Sequence, residues 1–301
     1  MQLGKNVAID PKFGFHHLDP IPSGAELDQW YREKYYSLVE AGGRAPELRR
    51  FLEGGETAKQ EVAWLEKTLW QDIVVVLRSH LSNGRPQRVL DFGCGTGHFL
   101  NFCRQQTDWI LEGIEPAAQA AGLAAGLGFP IYDSAEECMA DRAGSYDAVV
   151  LLNVLEHVPK PCEYVERVTT LLSSEGIIVI RVPNDFSEIQ QCAQESLGVA
   201  PWWVAPPDHI NYFDFQSLQR MLNGYGFQMI DTLADFPMEM FLLFGDNYIE
   251  NPEVGSACHK KRTRFDNSLP GDLRRTLYRS FAQAGIGRNS LVFGKRRLAE
   301  A

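Results

Sequence analysis

The chain has 301 residues, 45% of them hydrophobic and 23% charged, with 29 lysines and arginines against 39 aspartates and glutamates, a formal net charge of −10. That is globular composition, so wholesale disorder and fibrous repeats are excluded, and the surplus of acid argues against a general nucleic-acid binder. The longest apolar stretch, residues 148–155, is broken by Asn153 and too short to cross a bilayer, and the first residues lack a basic start followed by an apolar run; a soluble, cytoplasmic protein without a membrane partner is expected.

In chain order, residues 1–84 read as a mostly helical region with proline and glycine punctuation at Pro20, Pro22, Gly42, Gly43, Pro46, Gly54 and Gly55. A helix is predicted over 57–81, where Val62, Leu65, Leu69, Ile73, Val76 and Leu77 recur at three- and four-residue steps, and the SNGRP run at 82–86 ends it. From Arg88 the rhythm changes. Short apolar runs at 88–92, 109–114, 130–132, 146–152 and 176–182 alternate with helical patterns around 98–106, 117–127, 134–142 and 161–172, which implies right-handed βαβ crossovers and a parallel sheet. A helix at 216–223, a strand at 227–233 and a last strand at 291–296 complete the pattern. The intervening residues are too many for a loop and read as a partly helical insertion. The domain reading is therefore 1–84 as a helical lid and substrate region, 85–233 as a ligand-binding core, 234–285 as the insertion, and 286–301 as closing strand and tail.

Charge is uneven. From residue 255 onward eleven lysines and arginines face three acids, a local +8 that leaves −18 for the rest, with the densest cluster at KKRTR, residues 260–264. This segment is either a solvated face or a surface that attracts a phosphorylated or otherwise anionic substrate. The six cysteines, at 94, 103, 138, 162, 192 and 258, form no CxxC pair and no metal-knuckle spacing with histidine, so neither a disulfide nor a metal site is expected.

The most informative stretch is VLDFGCGTGHFL, residues 89–100. An apolar strand ends in Asp91, three alternating glycines follow, and a helix opens near His98. Glycines permit positive φ and let a ligand touch bare backbone, here at the carboxyl end of a parallel strand, where open α/β sheets bind ligands. A P-loop needs a Lys-Ser or Lys-Thr after its glycines, and none is present. A dinucleotide fingerprint needs GxGxxG, and neither Gly93 nor Gly95 as a starting point supplies the third glycine.

The Asp-x-Gly-x-Gly-x-Gly pattern resembles the loop of class I S-adenosylmethionine-dependent methyltransferases. The resemblance implies that Asp91, Gly93, Cys94, Gly95 and Gly97 hold the methionyl and ribose parts of the cofactor. Further features fall in the family's order. LEGIEP at 111–116 ends the second strand with Glu115, 24 residues after Asp91, followed by Pro116; a carboxylate there accepts hydrogen bonds from both ribose hydroxyls. Asp133 and Ser134 follow the third strand, where the family places a polar contact to adenine, although both are also good helix caps. SYDAVVLLNVLEHVP at 145–159 is similar to the fourth-strand motif of the small-molecule branch that includes quinone-pathway methyltransferases, which would put Asn153, Val154 and Leu155 along the cofactor and Glu156 and His157 at the rim. PDHINYFD at 207–214, before a helix, matches that branch's downstream pattern. The similarity spans about 85–233.

The leader FHHLDPIPS at 15–23 followed by WYREKYY at 30–36 also resembles bacterial relatives tied to surface-sugar or secondary metabolism. Tyr31, Tyr35 and Tyr36 either cover the sulfonium, whose cation an aromatic face attracts, or only pack their helix. His209, preceded by Asp208, and His157 are the candidates for a general base at the carboxyl edge. Trp202, Trp203, Pro206 and Pro207 either wall an apolar or sugar-stacking pocket or form a rigid surface loop.

The expectation is a Rossmann-like class I methyltransferase fold: a seven-stranded, mostly parallel sheet with helices on both faces, an antiparallel final strand and a helical N-terminal lid. The implied reaction is methyl transfer from S-adenosylmethionine, leaving S-adenosylhomocysteine, to oxygen of a small sugar-type or phenolic acceptor. The alternatives are a catalytically inactive cofactor-binding subunit, a protein or RNA methyltransferase, and a dinucleotide oxidoreductase.

Overall fold

The computed structural model describes residues 7–30, 55–81 and 84–297. Tyr31, Tyr35 and Tyr36 lie outside the described residues. The first described elements are strands, β1 (Val7–Ile9) and β2 (His16–Leu18), an antiparallel hairpin followed by helix α1 (Gly24–Trp30). This corrects the helical reading of the first residues. The Asp10 carboxylate accepts the Lys12 and Phe13 amides at 3.0 and 2.6 Å, and Gly14 takes a positive φ of 78°. Such local turn chemistry outcompetes a helix, and Phe13 and Phe15, two residues apart, both reach the core.

The helix expected over 57–81 is two helices, α2 (Gly55–Lys67) and α3 (Leu69–His80). They break at Thr68, whose φ and ψ are −117° and −98° and whose hydroxyl donates to the Trp64 carbonyl at 2.6 Å. A continuous apolar periodicity does not reveal such a break.

From there sequence and structure agree closely. The remaining elements are β3 (Arg88–Phe92), α4 (His98–Gln106), β4 (Ile110–Ile114), α5 (Ala118–Gly126), β5 (Ile131–Tyr132), α6 (Ala135–Arg142), β6 (Tyr146–Leu152), α7 (Pro161–Leu171), β7 (Leu172–Pro183), α8 (Glu188–Leu197), β8 (Asn211–Tyr212), α9 (Phe215–Gly224), β9 (Phe227–Ala234), α10 (Glu239–Leu243), α11 (Pro252–Ser268), α12 (Gly271–Gln283) and β10 (Asn289–Arg296). Seven strands make one sheet in the order β5-β4-β3-β6-β7-β10-β9. The first five run parallel, and β10 lies antiparallel between β7 and β9. The order reverses between β3 and β6, so the ligand crevice of such a sheet opens at their carboxyl ends.

Both sheet faces are covered, which is why β6 and β7 read as near-continuous apolar runs. Leu90, Val149, Ile178 and Ile180 pack toward α7 and α9, whereas Val89, Ala148, Val150, Ile177 and Val179 pack toward α3 and α4. Full burial of each such aliphatic side chain contributes about 1.5–3 kcal/mol. A separate sheet, β1-β2-β8, carries a small core of Leu18, Trp203, Val204 and Tyr212 at the carboxyl edge.

The basic segment divides: in the cluster 260–264, Lys260, Lys261 and Arg264 are exposed, as in a solvated face, whereas Arg262 and the arginines of α12 meet acids. Arg274 and Arg275 both pair with Asp72 of α3 at 2.8 Å, Arg262 pairs with Asp235, and Arg279 pairs with Asp231. The Asp266 carboxylate accepts the Trp64 ring N–H at 3.0 Å and the Tyr278 hydroxyl. These arginines neutralise acids of the sheet and of α3; among the described residues, Lys260 and Arg264 are the cluster members that face solvent without an ion pair to an acid.

Candidate functional site

The glycine loop leaves β3 and is bound to the end of β4. The Gly93 and Cys94 amides both donate to the Ile114 carbonyl, at 2.8 and 3.0 Å. Gly93, Gly95 and Gly97 have φ of 85°, 52° and 81°, the left-handed region that disfavours other side chains. Each glycine has its own reason. A Cβ at 93 would stand 2.8 Å from a Val154 methyl, and one at 97 would stand 3.0 Å from the Ala124 Cβ, whereas Gly95 faces open space, leaving bare backbone.

Glu115 follows β4 and is half-buried, with exposed Pro116 after it. Its carboxylate accepts the Gly95 amide at 2.9 Å through Oε2 and the Ala117 amide at 2.9 Å through Oε1. Each oxygen keeps lone pairs for a diol. Asp91 is buried under the loop; burial first, and then the negative charge of Glu115, push its carboxyl up to about 7. A cationic amino group beside it would reverse that shift. Bare main chain, a diol-competent acid and a buried acid awaiting a cation fit an adenosyl sulfonium carrying an amino acid.

The other expected cofactor residues are brought to this edge with local duties of their own. Ser134 caps α6 by accepting the Glu137 amide at 3.2 Å, and the exposed Asp133 donates its amide to the Glu137 carboxylate at 2.9 Å. Asn153 sits at φ 59°, a strained value outside glycine, and its side-chain carbonyl accepts a hydrogen bond from Arg181. Arg181 stands 3.7 Å from Asp235, which Arg262 holds at 2.8 Å. The turn after β6 is thus tied to α11 by buried charges.

His157 and His209 meet. Their rings are 4.9 Å apart at 89°, and His157 Nδ1 lies 2.8 Å from the Asp208 carbonyl. A carbonyl only accepts, so it assigns the hydrogen to Nδ1 and leaves Nε2 as the acceptor. Asp208 therefore orients His157 through its backbone. Glu156 Oε1 lies 3.8 Å from His157 Nε2. That carboxyl is buried and its pKa raised by burial, with His157 as the leading opposing influence. The ligand atoms of His157, Asp208 and His209 also lie within 4.8 Å of one another, close enough to hold a cation together. No sequence spacing announced this group, because 157 and 208–209 belong to separate loops.

Trp203 is 3% exposed and packs edge-on with Trp202 and Phe186 in the small core at the carboxyl edge. His16, unassigned from sequence, stacks on Phe186 at 4.0 Å. The sequence reading missed Arg181, Asp185, Glu239 and Arg288. A charge inside the apolar run of β7 was the available signal for Arg181; the others gather only through the fold.

The glycine loop at the switch point, the acid after β4 and the seven-stranded order with its antiparallel β10 together define a class I methyltransferase fold. A family model described as a methyltransferase domain matches residues 65–232. The chain belongs to this S-adenosylmethionine-dependent family. It is 30% identical over 129 residues to the ubiquinone biosynthesis O-methyltransferase of Caulobacter sp. (strain K31), covering 40% of this chain and 51% of that protein. It is 34% identical over 103 residues to the enzyme of the same description from Paraburkholderia xenovorans (strain LB400), covering 32% and 44%. The chain thus spans about half the length of the curated relatives it matches. Among solved structures, the [4+2]-cyclase SpnF superposes with a TM-score of 0.52 at 14% identity, covering 93% of this chain and 98% of that one, a likeness of fold alone. Among the described residues no helix is long and apolar enough to cross a membrane.

Proposed function

We propose that the protein transfers a methyl group from S-adenosylmethionine to a hydroxyl oxygen of a small molecule, with a sugar-type acceptor ahead of a phenolic one. The supporting observation is the pairing of His157 and His209 at the carboxyl edge of β6, on the strand next to the glycine loop. When bound, the cofactor supplies an activated methyl group and takes back the electron pair of the broken S–C bond.

The chain's own residues do the rest. Gly93, Gly95, Glu115 and Asp91 fix the adenosyl and amino ends, so the approach of the acceptor oxygen becomes effectively intramolecular, the source of about 7–11 kcal/mol in well-oriented systems. His157 Nε2 receives the acceptor's proton as the oxygen gains carbon. Asp208 holds the ring through its carbonyl, and Glu156 stands as the counter-charge to the imidazolium. A base of this kind contributes roughly 10²–10⁴-fold for a neutral hydroxyl.

Titration calorimetry with S-adenosylhomocysteine and with NAD tests the cofactor, and tritiated methyl transfer to acceptor panels tests the reaction. Binding of NAD in place of S-adenosylhomocysteine would overturn the reading. Tight S-adenosylhomocysteine binding with no transfer to any hydroxyl-bearing small molecule would favour a non-catalytic binding role.

A further inference from the structure

Beyond β7, on the side of the sheet away from the glycine loop, lies a second polar group that the cofactor reading leaves unused. Asn184 follows β7, Ser187 precedes α8, Gln190 lies in α8, Glu239 lies in α10 and Arg288 precedes β10. The first four side chains are at least nine-tenths buried: Asn184, Gln190 and Glu239 are 0% exposed and Ser187 is 6%. Asp185 ties them together. It accepts from Gln190 Nε2 at 3.2 Å and faces Arg288 Nη1 at 3.5 Å, and that nitrogen stands 3.8 Å from Glu239 Oε1. Asn184 donates its side-chain amide to the Gly285 and Gly287 carbonyls at 3.0 Å, which locks the turn beside Arg288.

Five oxygens of this group, Asn184 Oδ1, Ser187 Oγ, Gln190 Oε1 and both of Glu239, are buried with no partner at hydrogen-bond distance. A buried polar atom left unmatched costs about 1–3 kcal/mol, so chains seldom retain several together without a use. Their chemistry is mainly that of acceptors. All five accept hydrogen bonds, the Ser187 hydroxyl also donates one, and Arg288, 29% exposed at the rim, is the cationic donor beside them. Such a cluster calls for a ligand rich in donors. It is also joined to the loop of the proposed base through the 210–213 stretch: the Asp185 amide donates to the Phe213 carbonyl at 2.7 Å, and the Ile210 and Asn211 amides donate to the Glu156 carbonyl at 2.7 and 3.1 Å.

We infer that Asn184, Ser187, Gln190 and Glu239, with Arg288 at the rim, form the acceptor subsite and bind a polyhydroxylated group such as a hexose ring. A phenol offers one donor, too few for five acceptors. An ammonium offers three from a single point, whereas these oxygens come from two separate segments, 184–190 and Glu239. A ring of hydroxyls donates in several directions and can accept from Arg288 in return. The inference rests on the methyl-transfer reading for its acceptor oxygen but not for the subsite itself.

The test compares wild type with Glu239→Met, Gln190→Leu and the shape-preserving Glu239→Gln, each saturated with S-adenosylhomocysteine. Melting temperatures are read with myo-inositol, methyl α-glucopyranoside, catechol or tyramine. Reading each shift as wild type minus variant removes the general stabilisation that polyols give by exclusion from protein surfaces. The expected result is S-adenosylhomocysteine affinity within about twofold of wild type, ligand-free melting at or above wild type, and a polyol shift of about 2–4 °C in wild type that the variants lose, near 1 kcal/mol for a chain of this size. Equal polyol shifts in wild type and variants overturn the subsite, as does a shift with tyramine or catechol alone. A ligand-free loss beyond about 4 °C in both Glu239→Gln and Gln190→Leu also overturns it, since the polar atoms would then be scaffold. Failure of wild type to bind S-adenosylhomocysteine would sink the methyl-transfer reading instead, and the polyol shifts, measured without it, would still report on the subsite.

Discussion

The two sides of the sheet's carboxyl edge are built on different principles. On the β3–β4 side the proposed ligand surface is backbone: alternating glycines, amides bound to the Ile114 carbonyl, and one carboxylate whose two oxygens are already held by amides. On the β7–β10 side it is side chain, drawn from three distant segments, with oxygens left unmatched. A backbone cradle holds what every member of a family must bind. A side-chain cluster is free to change, and that is where acceptor choice belongs.

The largest effect that would break this contrast is catalytic. His157→Ala is expected to lower kcat by roughly 10²–10⁴-fold with S-adenosylhomocysteine affinity unchanged; loss of affinity in calorimetry would move His157 to the cofactor side. Glu115→Ala should do the reverse, weakening S-adenosylhomocysteine by about 1.5–3 kcal/mol through the loss of charged hydrogen bonds. Gly97→Val forces a branched side chain to φ 81° and into Ala124, so denaturant melts should lose about 1–3 kcal/mol of stability.

A subtler effect is a proton. Asp91 is held near 7 by burial and Glu115, above its unfolded value, so its contribution to stability is fully present below about pH 4 and is lost as pH rises through about 7. A bound ammonium favours the carboxylate, so S-adenosylhomocysteine binding at pH 6 should release part of a proton, measured by calorimetry in buffers of different ionisation enthalpy. Asp91→Asn should abolish that release. The smallest expected effect concerns the His157, Asp208 and His209 group. Treatment with EDTA should leave methyl transfer within about twofold, and a larger loss would make those three residues a cation site rather than a proton relay.

The same division explains what the sequence revealed. Asp91, the three glycines and Glu115 are legible because strand and turn follow within a few residues, so their order in the chain is their order in space. His157 and His209 were both visible, but their ring contact and the Asp208 carbonyl that orients one of them depend on two loops meeting. Glu239 and Arg288 carried no signal, since nothing within helical or strand spacing marks an acid in a short helix or an arginine before a strand. The basic segment was legible in part for the same reason: Lys260, Lys261 and Arg264 are the surface they read as, but Arg262, Arg274, Arg275 and Arg279 are known to face Asp235, Asp72 and Asp231 only once the fold places those acids. Thr68 shows the limit of periodicity, which registers buried faces and not the hydroxyl that interrupts them.

The position of β10 has a consequence for biogenesis. It follows every other strand in the chain yet hydrogen-bonds on both flanks, to β7 and to β9. During translation the rest of the sheet emerges first, with two apolar strands exposing unsatisfied margins until the missing partner arrives. Nascent chains stalled before residue 289 should therefore be strong clients for chaperones and prone to self-association.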